Sequence, residues 1–149
     1  MKLKQMLFSS PEQTKNFARK VAALLKPRDI VILRGELGAG KTLFVQGLAE
    51  GLGVSDPELV RSPTFTLIHE YQGKLPLFHF DFYRLENVQE ALALGLDEYF
   101  EGEGVSVIEW GNKFPTVLPE RAYVIELKVI SEAVREIILS PNIREKLQC

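Results

Sequence analysis

Apolar residues fall along this chain in two rhythms, one helical and one of strand length. Between Ser10 and Pro27 the period is helical, with Phe17, Val21, Leu24 and Leu25 on one face. Ser10 reads as the N-cap, Pro11 as the first helical residue and Gln13 as the capping-box partner. Pro27 ends this helix, and Asp29 turns the chain into an apolar run over 30–33 that reads as a core strand. A second helical pattern occupies 43–49 and is closed by Gly51 and Gly53. A loop follows from Ser55 to Pro63. Residues 65–71 read as a strand and 75–82 as its return, with 72–74 as the hairpin turn. The pattern over 87–94 predicts a helix interrupted at Gly95, and 105–108 reads as a short buried strand. A last hairpin is predicted from 122–129 and 134–139, with Ser131 and Glu132 in its turn. Together these elements predict an α/β fold, a mixed central sheet flanked by helices and carrying antiparallel hairpins. No repeat, low-complexity tract or linker interrupts the chain, so residues 1–149 are read as one domain.

Composition narrows the function classes. The chain has 149 residues, 46% hydrophobic and 26% charged, in the range of a globular domain with a sizeable core. Its formal net charge is −2 and no Lys/Arg block occurs. An autonomous, tight grip on a nucleic-acid backbone is therefore not supported, and any such role is expected to be shared with a basic partner. Cys149 is the only cysteine, which excludes an intramolecular disulfide and a CxxC zinc or redox pair. The first residues lack a long apolar region and a small-residue cleavage site, and no apolar run reaches membrane-spanning length. The expectation is a soluble cytoplasmic protein with no membrane role.

The chemistry concentrates at residues 35–42, which read Gly-Glu-Leu-Gly-Ala-Gly-Lys-Thr. This is G-x-x-x-x-G-K-[ST], placed between a predicted strand and a predicted helix, as a phosphate-binding loop requires. Gly35, Gly38 and Gly40 let the backbone bend around an anion. The amides of Leu37, Gly38, Ala39 and Gly40 are expected to face phosphate, aided by the positive end of the following helix. Lys41 is expected to reach the β- and γ-phosphates, and the Thr42 hydroxyl to bind Mg²⁺.

Such a loop needs an acid at the end of a neighbouring buried strand. Asp81 and Glu109 both qualify, and the residue pattern does not choose between them. Thr64, in the segment from Ser62 to Phe65, sits where a switch sensing the γ-phosphate is expected. Its hydroxyl is a candidate for Mg²⁺ or for the attacking water. Arg61 and Arg84 are read as exposed arginines before they are read as charge stabilisers. His69 and His79 are read as strand residues. Trp110 is read as a site cover, a partner surface or core packing. Asn112 and Lys113 imitate a guanine-recognition motif, but Pro115 stands where its Asp belongs, so adenine is the expected base.

Read in order, these segments resemble the bacterial TsaE (YjeE) family of small ATPases. The resemblance rests on residues 35–42, on Ser-Pro-Thr-Phe-Thr-Leu at 62–67, on Glu70 and Tyr71, on His-Phe-Asp-Phe-Tyr-Arg-Leu at 79–85, and on Ile-Glu-Trp at 108–110. It covers nearly the whole chain and implies a single P-loop NTPase domain. It further implies an ATP- and Mg²⁺-dependent role in making N6-threonylcarbamoyladenosine in tRNA, together with the TsaD and TsaB proteins. The tRNA would be met only through that complex. By the same resemblance Lys41 grips phosphate, Thr42 and Glu109 hold Mg²⁺, and Asp81 is the second essential acid. Thr64 belongs to the switch, Arg135 lies near the nucleotide, and the segment before the first helix borders the adenine. Glu36, Phe82 and Gly111 depart from the family pattern, the last leaving open the path after Trp110. Two other readings stand beside this one: a small-molecule P-loop kinase, and a nucleotide-dependent binding module with little turnover.

Overall fold

The computed structural model describes residues 6–36 and 38–147. Within them the chain runs β1 (Met6–Phe8), α1 (Pro11–Leu24), β2 (Ile30–Gly35), α2 (Lys41–Gly51), β3 (Ile68–Tyr71), β4 (Leu77–Asp81), α3 (Val88–Leu92), α4 (Leu96–Phe100), β5 (Val105–Glu109), β6 (Tyr123–Val129), β7 (Arg135–Leu139) and α5 (Pro141–Leu147). The strands form one sheet in the order β1-β7-β6-β2-β5-β4-β3. The four central strands are parallel, and antiparallel strands close each side. This is the mixed α/β sheet of a P-loop NTPase, in which strands buried on both faces read as apolar runs.

Local chemistry sets the helix ends. The Ser10 hydroxyl accepts the Gln13 N–H at 3.2 Å, as an N-cap should. The reciprocal bond goes elsewhere: Gln13 Oε1 accepts the N–H of Ser9, at 2.7 Å, where the capping box expects Ser10. Helix α2 ends in a Schellman turn at Gly53, whose φ is +83°. The Gly53 N–H reaches the Glu50 carbonyl and the Val54 N–H reaches that of Ala49. Asn87 caps α3 through its side chain instead of belonging to it.

Three elements go beyond the sequence reading. β1 is three residues long, too short to show a period, and it forms by pairing with β7. α4 restarts after Gly95, which adopts φ +72°. α5 begins at Pro141, and only its Ile143 is buried in the core. One expectation is corrected. The strand read from residue 65 begins at Ile68, because Leu67 takes a left-handed φ of +72° and its N–H folds back to the Pro63 carbonyl at 2.7 Å. The segment before it therefore makes a turn and joins no ladder.

Two apolar layers enclose the sheet. On one face Phe17, Val21, Phe44 and Leu48 of α1 and α2 pack on Leu33, Val107 and Ile125. On the other, Phe80, Ile108 and Ile30 pack under Leu96, Phe100 and Phe114. Strand alternation then has a consequence for chemistry. Leu77 of β4 and Val105 and Val107 of β5 face the α1/α2 layer, so His79, Asp81 and Glu109 face it too. Among the described residues no helix is long and apolar enough to cross a membrane.

Helices α1 and α2 approach closely at Gly47. A Cβ there would lie 2.7 Å from the Ala18 Cβ and 2.8 Å from the Lys15 carbonyl oxygen. Gly47→Ala gains about 1 kcal/mol of helix propensity and is still expected to be destabilising, by about 1–2 kcal/mol, because two helix backbones must part. Urea unfolding with an unchanged m-value is the measurement.

Candidate phosphate-binding site

The loop between β2 and α2 takes its shape from backbone that only glycine adopts easily. Gly38 and Gly40 have φ of +83° and +101°, with open space where a Cβ would stand. Conformation, not crowding, is what these positions require. Gly40 is also the N-cap of α2 and brings no side chain to satisfy its first turn, which holds no acidic residue. The 11-residue helix therefore presents free amides and its positive end to the cavity in front of it. Leu37, expected to contribute an amide, lies outside the described residues.

Lys41 is the first residue of α2 and is nearly buried, at 8% exposure. Its ammonium lies 3.8 Å from Glu109 Oε1 and 4.5 Å from the centre of the Trp110 ring. Glu109 ends β5 at 3% exposure, and its other oxygen meets His79 Nε2 at 2.5 Å. Trp110 leaves the strand with φ +61°, a left-handed conformation unusual for a bulky residue. That turn swings its ring back over Lys41 and against Tyr83, whose ring centre is 5.0 Å away. The contacts of the ring with the Lys41 ammonium and with Tyr83 offset this backbone cost.

Asp81 is Glu109's register partner on β4 and is equally buried, yet it does different work. Its Oδ2 accepts the hydroxyls of Ser62 at 2.8 Å and Thr64 at 3.0 Å, and its Oδ1 accepts the Tyr83 N–H at 2.8 Å. The 62–64 segment is thus latched to the end of β4. Just beyond the latch Phe65 is 84% exposed, under the Arg84 guanidinium at 4.8 Å.

Lys41, Thr42, Ser62, Thr64, Asp81, Glu109 and Trp110 all line one cavity of about 600 Å³. A smaller cavity of about 160 Å³ lies on the other side of Gly40 and Leu43, walled by Ser9, Ser10, Thr14, Glu132 and Arg135. Arg135 bridges the β6–β7 turn and the loop. It donates to the carbonyls of Ser131, Glu132 and Val134 and, at 3.2 Å, to that of Gly38. Ala39, whose amide was expected to face phosphate, is buried within the loop and instead donates its N–H to the Glu36 carbonyl at 3.0 Å.

Other singled-out residues serve the scaffold. Arg61 donates to the carbonyls of Glu58 and Val60 and so folds its own loop. His69 Nδ1 bonds the Arg61 carbonyl and the Tyr71 hydroxyl. Lys113 donates at 2.7 Å to the carbonyls of both Tyr83 and Leu85, pinning the turn after β4, so the guanine-like motif is spent on structure. Tyr83 lines the same cavity and His79 stands behind Glu109 without lining it; neither was expected there, whereas Ser62 opens the segment that was. The signal for His79 was its spacing of two from Asp81 in a strand, which puts both on one face.

The donors suit a hard divalent cation. Among the described residues no three His, Cys, Asp or Glu side chains gather into a metal-binding group. Mg²⁺ at a phosphate loop needs no such cage, because it keeps waters and phosphate oxygens and takes only one or two protein oxygens. The Thr42 hydroxyl and the Glu109 carboxylate, on one cavity, are oxygens of that kind.

Comparison with known proteins shows the family to which the chain belongs. The family model for threonylcarbamoyl adenosine biosynthesis protein TsaE matches residues 8–137. The Bacillus subtilis (strain 168) tRNA threonylcarbamoyladenosine biosynthesis protein TsaE is 49% identical over 129 residues, 86% of this chain and 79% of that one. The protein of the same name from Treponema pallidum is 43% identical, over 88% of this chain and 96% of its own. The crystal structure of Bacillus subtilis YdiB superposes with a TM-score of 0.76 at 40% identity, covering 99% of this chain and 94% of the other. The family model's match over residues 8–137, and relatives 43–49% identical along most of their length, show that this chain belongs to the TsaE family.

Proposed function

We propose that this chain is an ATP-binding and ATP-hydrolysing subunit required for N6-threonylcarbamoyladenosine modification of tRNA, acting as one domain over residues 1–149. It works in the cytoplasm with the TsaD and TsaB proteins. The observation that carries the reading is the convergence of Lys41, Thr42, Thr64, Asp81 and Glu109 on one cavity at the phosphate loop. The names of the relatives supply the pathway.

In this reading the triphosphate lies in the larger cavity, along the free amides of α2's first turn. The adenosine lies in the smaller one, between the start of α1 and the β6–β7 turn. Lys41 leaves Trp110 to meet the β- and γ-phosphates. Thr42 and Glu109 would hold Mg²⁺, which would supply neutralisation of phosphate charge. Arg135 braces the loop beside the nucleotide. Thr64 and Asp81 serve the attacking water once their mutual hydrogen bond opens. That bond is also the physical reason to expect slow hydrolysis by the isolated chain, since the two groups engage each other. A net charge of −2 favours tRNA contact through the partners and not through this chain.

Modification of tRNA reconstituted with TsaD and TsaB is expected to stall when this chain is omitted or carries Lys41→Ala. Multiple turnover without it would overturn the role. Phosphate release without a phosphorylated acceptor is the result that separates an ATPase from a kinase, and its rate is expected to rise when both partners are added. Trp110 is the only tryptophan, so its fluorescence reports the site directly. MgATP is expected to change Trp110 emission as Lys41 leaves the ring, and Lys41→Ala to weaken nucleotide binding at least about tenfold by removing a charged contact to phosphate.

A further inference from the structure

His79 stands in the core layer yet fits it badly as a packing residue. It is completely buried, at 0% exposure, on the face of β4 that it shares with Leu77 and Asp81. Among the described residues its Nδ1 has no hydrogen-bond partner, although a phenylalanine or leucine would fill such a place without stranding a polar atom. Its Nε2 makes one contact, to Glu109 Oε2 at 2.5 Å. The pairing decides the tautomer. An N–H on Nδ1 would bury an unpaired donor and set the Nε2 lone pair against a carboxylate oxygen. An N–H on Nε2 leaves only an unpaired acceptor and makes a charge-assisted bond.

We propose that His79 is a positioning residue that holds Glu109 by Oε2 and so keeps Oε1 turned toward the Lys41 side of the cavity, where Mg²⁺ is to be bound. The inference rests on the reading that Glu109 is a metal ligand. Glu109 would otherwise swing among the rotamers of a long side chain, and binding an ion would have to order it. Fixed partners behind a ligand act in this way at other metal sites, where removing one costs about 10–100-fold in metal affinity. Lys41 cannot do the same work, because it is required by the phosphates once nucleotide enters. His79 stays behind the carboxylate in either condition.

Two measurements test this. Long-range ¹H–¹⁵N spectra of the full chain without nucleotide or metal are expected to show His79 with a proton on Nε2, and a ring with its only proton on Nδ1 and a bare Nε2 would overturn the proposal. Calorimetric titration with ATP, with and without Mg²⁺, is then compared among variants. His79→Phe is expected to lose about tenfold or more of the affinity that Mg²⁺ adds, while metal-free ATP affinity stays unchanged. His79→Gln, whose amide N–H reaches for the same oxygen, is expected to recover part of it. Should His79→Phe not fold, the wild-type spectrum and the His79→Gln titration remain decisive. Glu109→Gln separates the two ideas. If it abolishes the Mg²⁺ increment and His79→Phe does not, the positioning role is wrong and the metal ligand stands. If both variants keep the increment, Glu109 is not the metal ligand and the inference falls with it.

Discussion

A buried carboxylate held from two sides organises this molecule. Glu109 has the ammonium of Lys41 near one oxygen and the imidazole of His79 on the other. Each partner arrives on a different element: the first residue of α2, the middle of β4 and the end of β5. A carboxylate taken out of water needs such partners, and removing one from a buried pair costs about 3–5 kcal/mol. The three elements are therefore constrained together. A slip of one residue in β4 or β5 would turn His79 or Glu109 to the opposite layer, among Phe80, Phe100 and Phe114.

The neighbouring strand end uses the same register for a different purpose. Asp81 lies beside Glu109 but spends its oxygens on Ser62, Thr64 and the Tyr83 amide. One acid holds the cation side of the cavity, and the other holds the loop that faces it. The left-handed turn at Leu67 belongs to this second arrangement. It lifts 62–66 off the ladder while the Leu67 carbonyl still accepts the Asp81 N–H at 3.0 Å. A segment tied by a few hydroxyl bonds, with Phe65 in solvent, is easier to release than a paired strand. Trp110 adds a further coupling, since its ring leans on both Lys41 and Tyr83.

The antiparallel margins support the same centre. β6 and β7 carry Arg135 to the loop, where it joins the hairpin turn to the Gly38 carbonyl. β1 pairs with β7 and leads into the Ser9–Ser10 corner of the small cavity. On the far side Lys113 fastens the turn after β4 through the carbonyls of Tyr83 and Leu85. Loops on both sides of the site are thus tied to the sheet by long cationic side chains that donate to backbone oxygens.

The amino-acid sequence alone determined the elements whose signal is local. The phosphate loop, the caps of α1 and α2, the apolar runs of β2 and β5 and the two hairpins follow from spacing, proline, glycine and strand alternation. Lys41, Thr42, Asp81 and Glu109, which line one cavity, were singled out by motif and by strand-end position, and the resemblance to a family added Arg135. Tertiary structure decided the rest. β1 has too few residues for a period and exists because β7 offers a free edge. The late start of β3 reflects a hydroxyl–carboxylate latch between residues 17 and 19 positions apart, which no local propensity carries. The separate tasks of Asp81 and Glu109 could not be told from two similar strand ends, because they arise from what packs opposite each one. The place of His79 behind Glu109 depends on a contact across 30 residues and on the parallel pairing of β4 with β5. Short-range spacing encodes which face a side chain takes; only the assembled sheet and helix decide what it meets there.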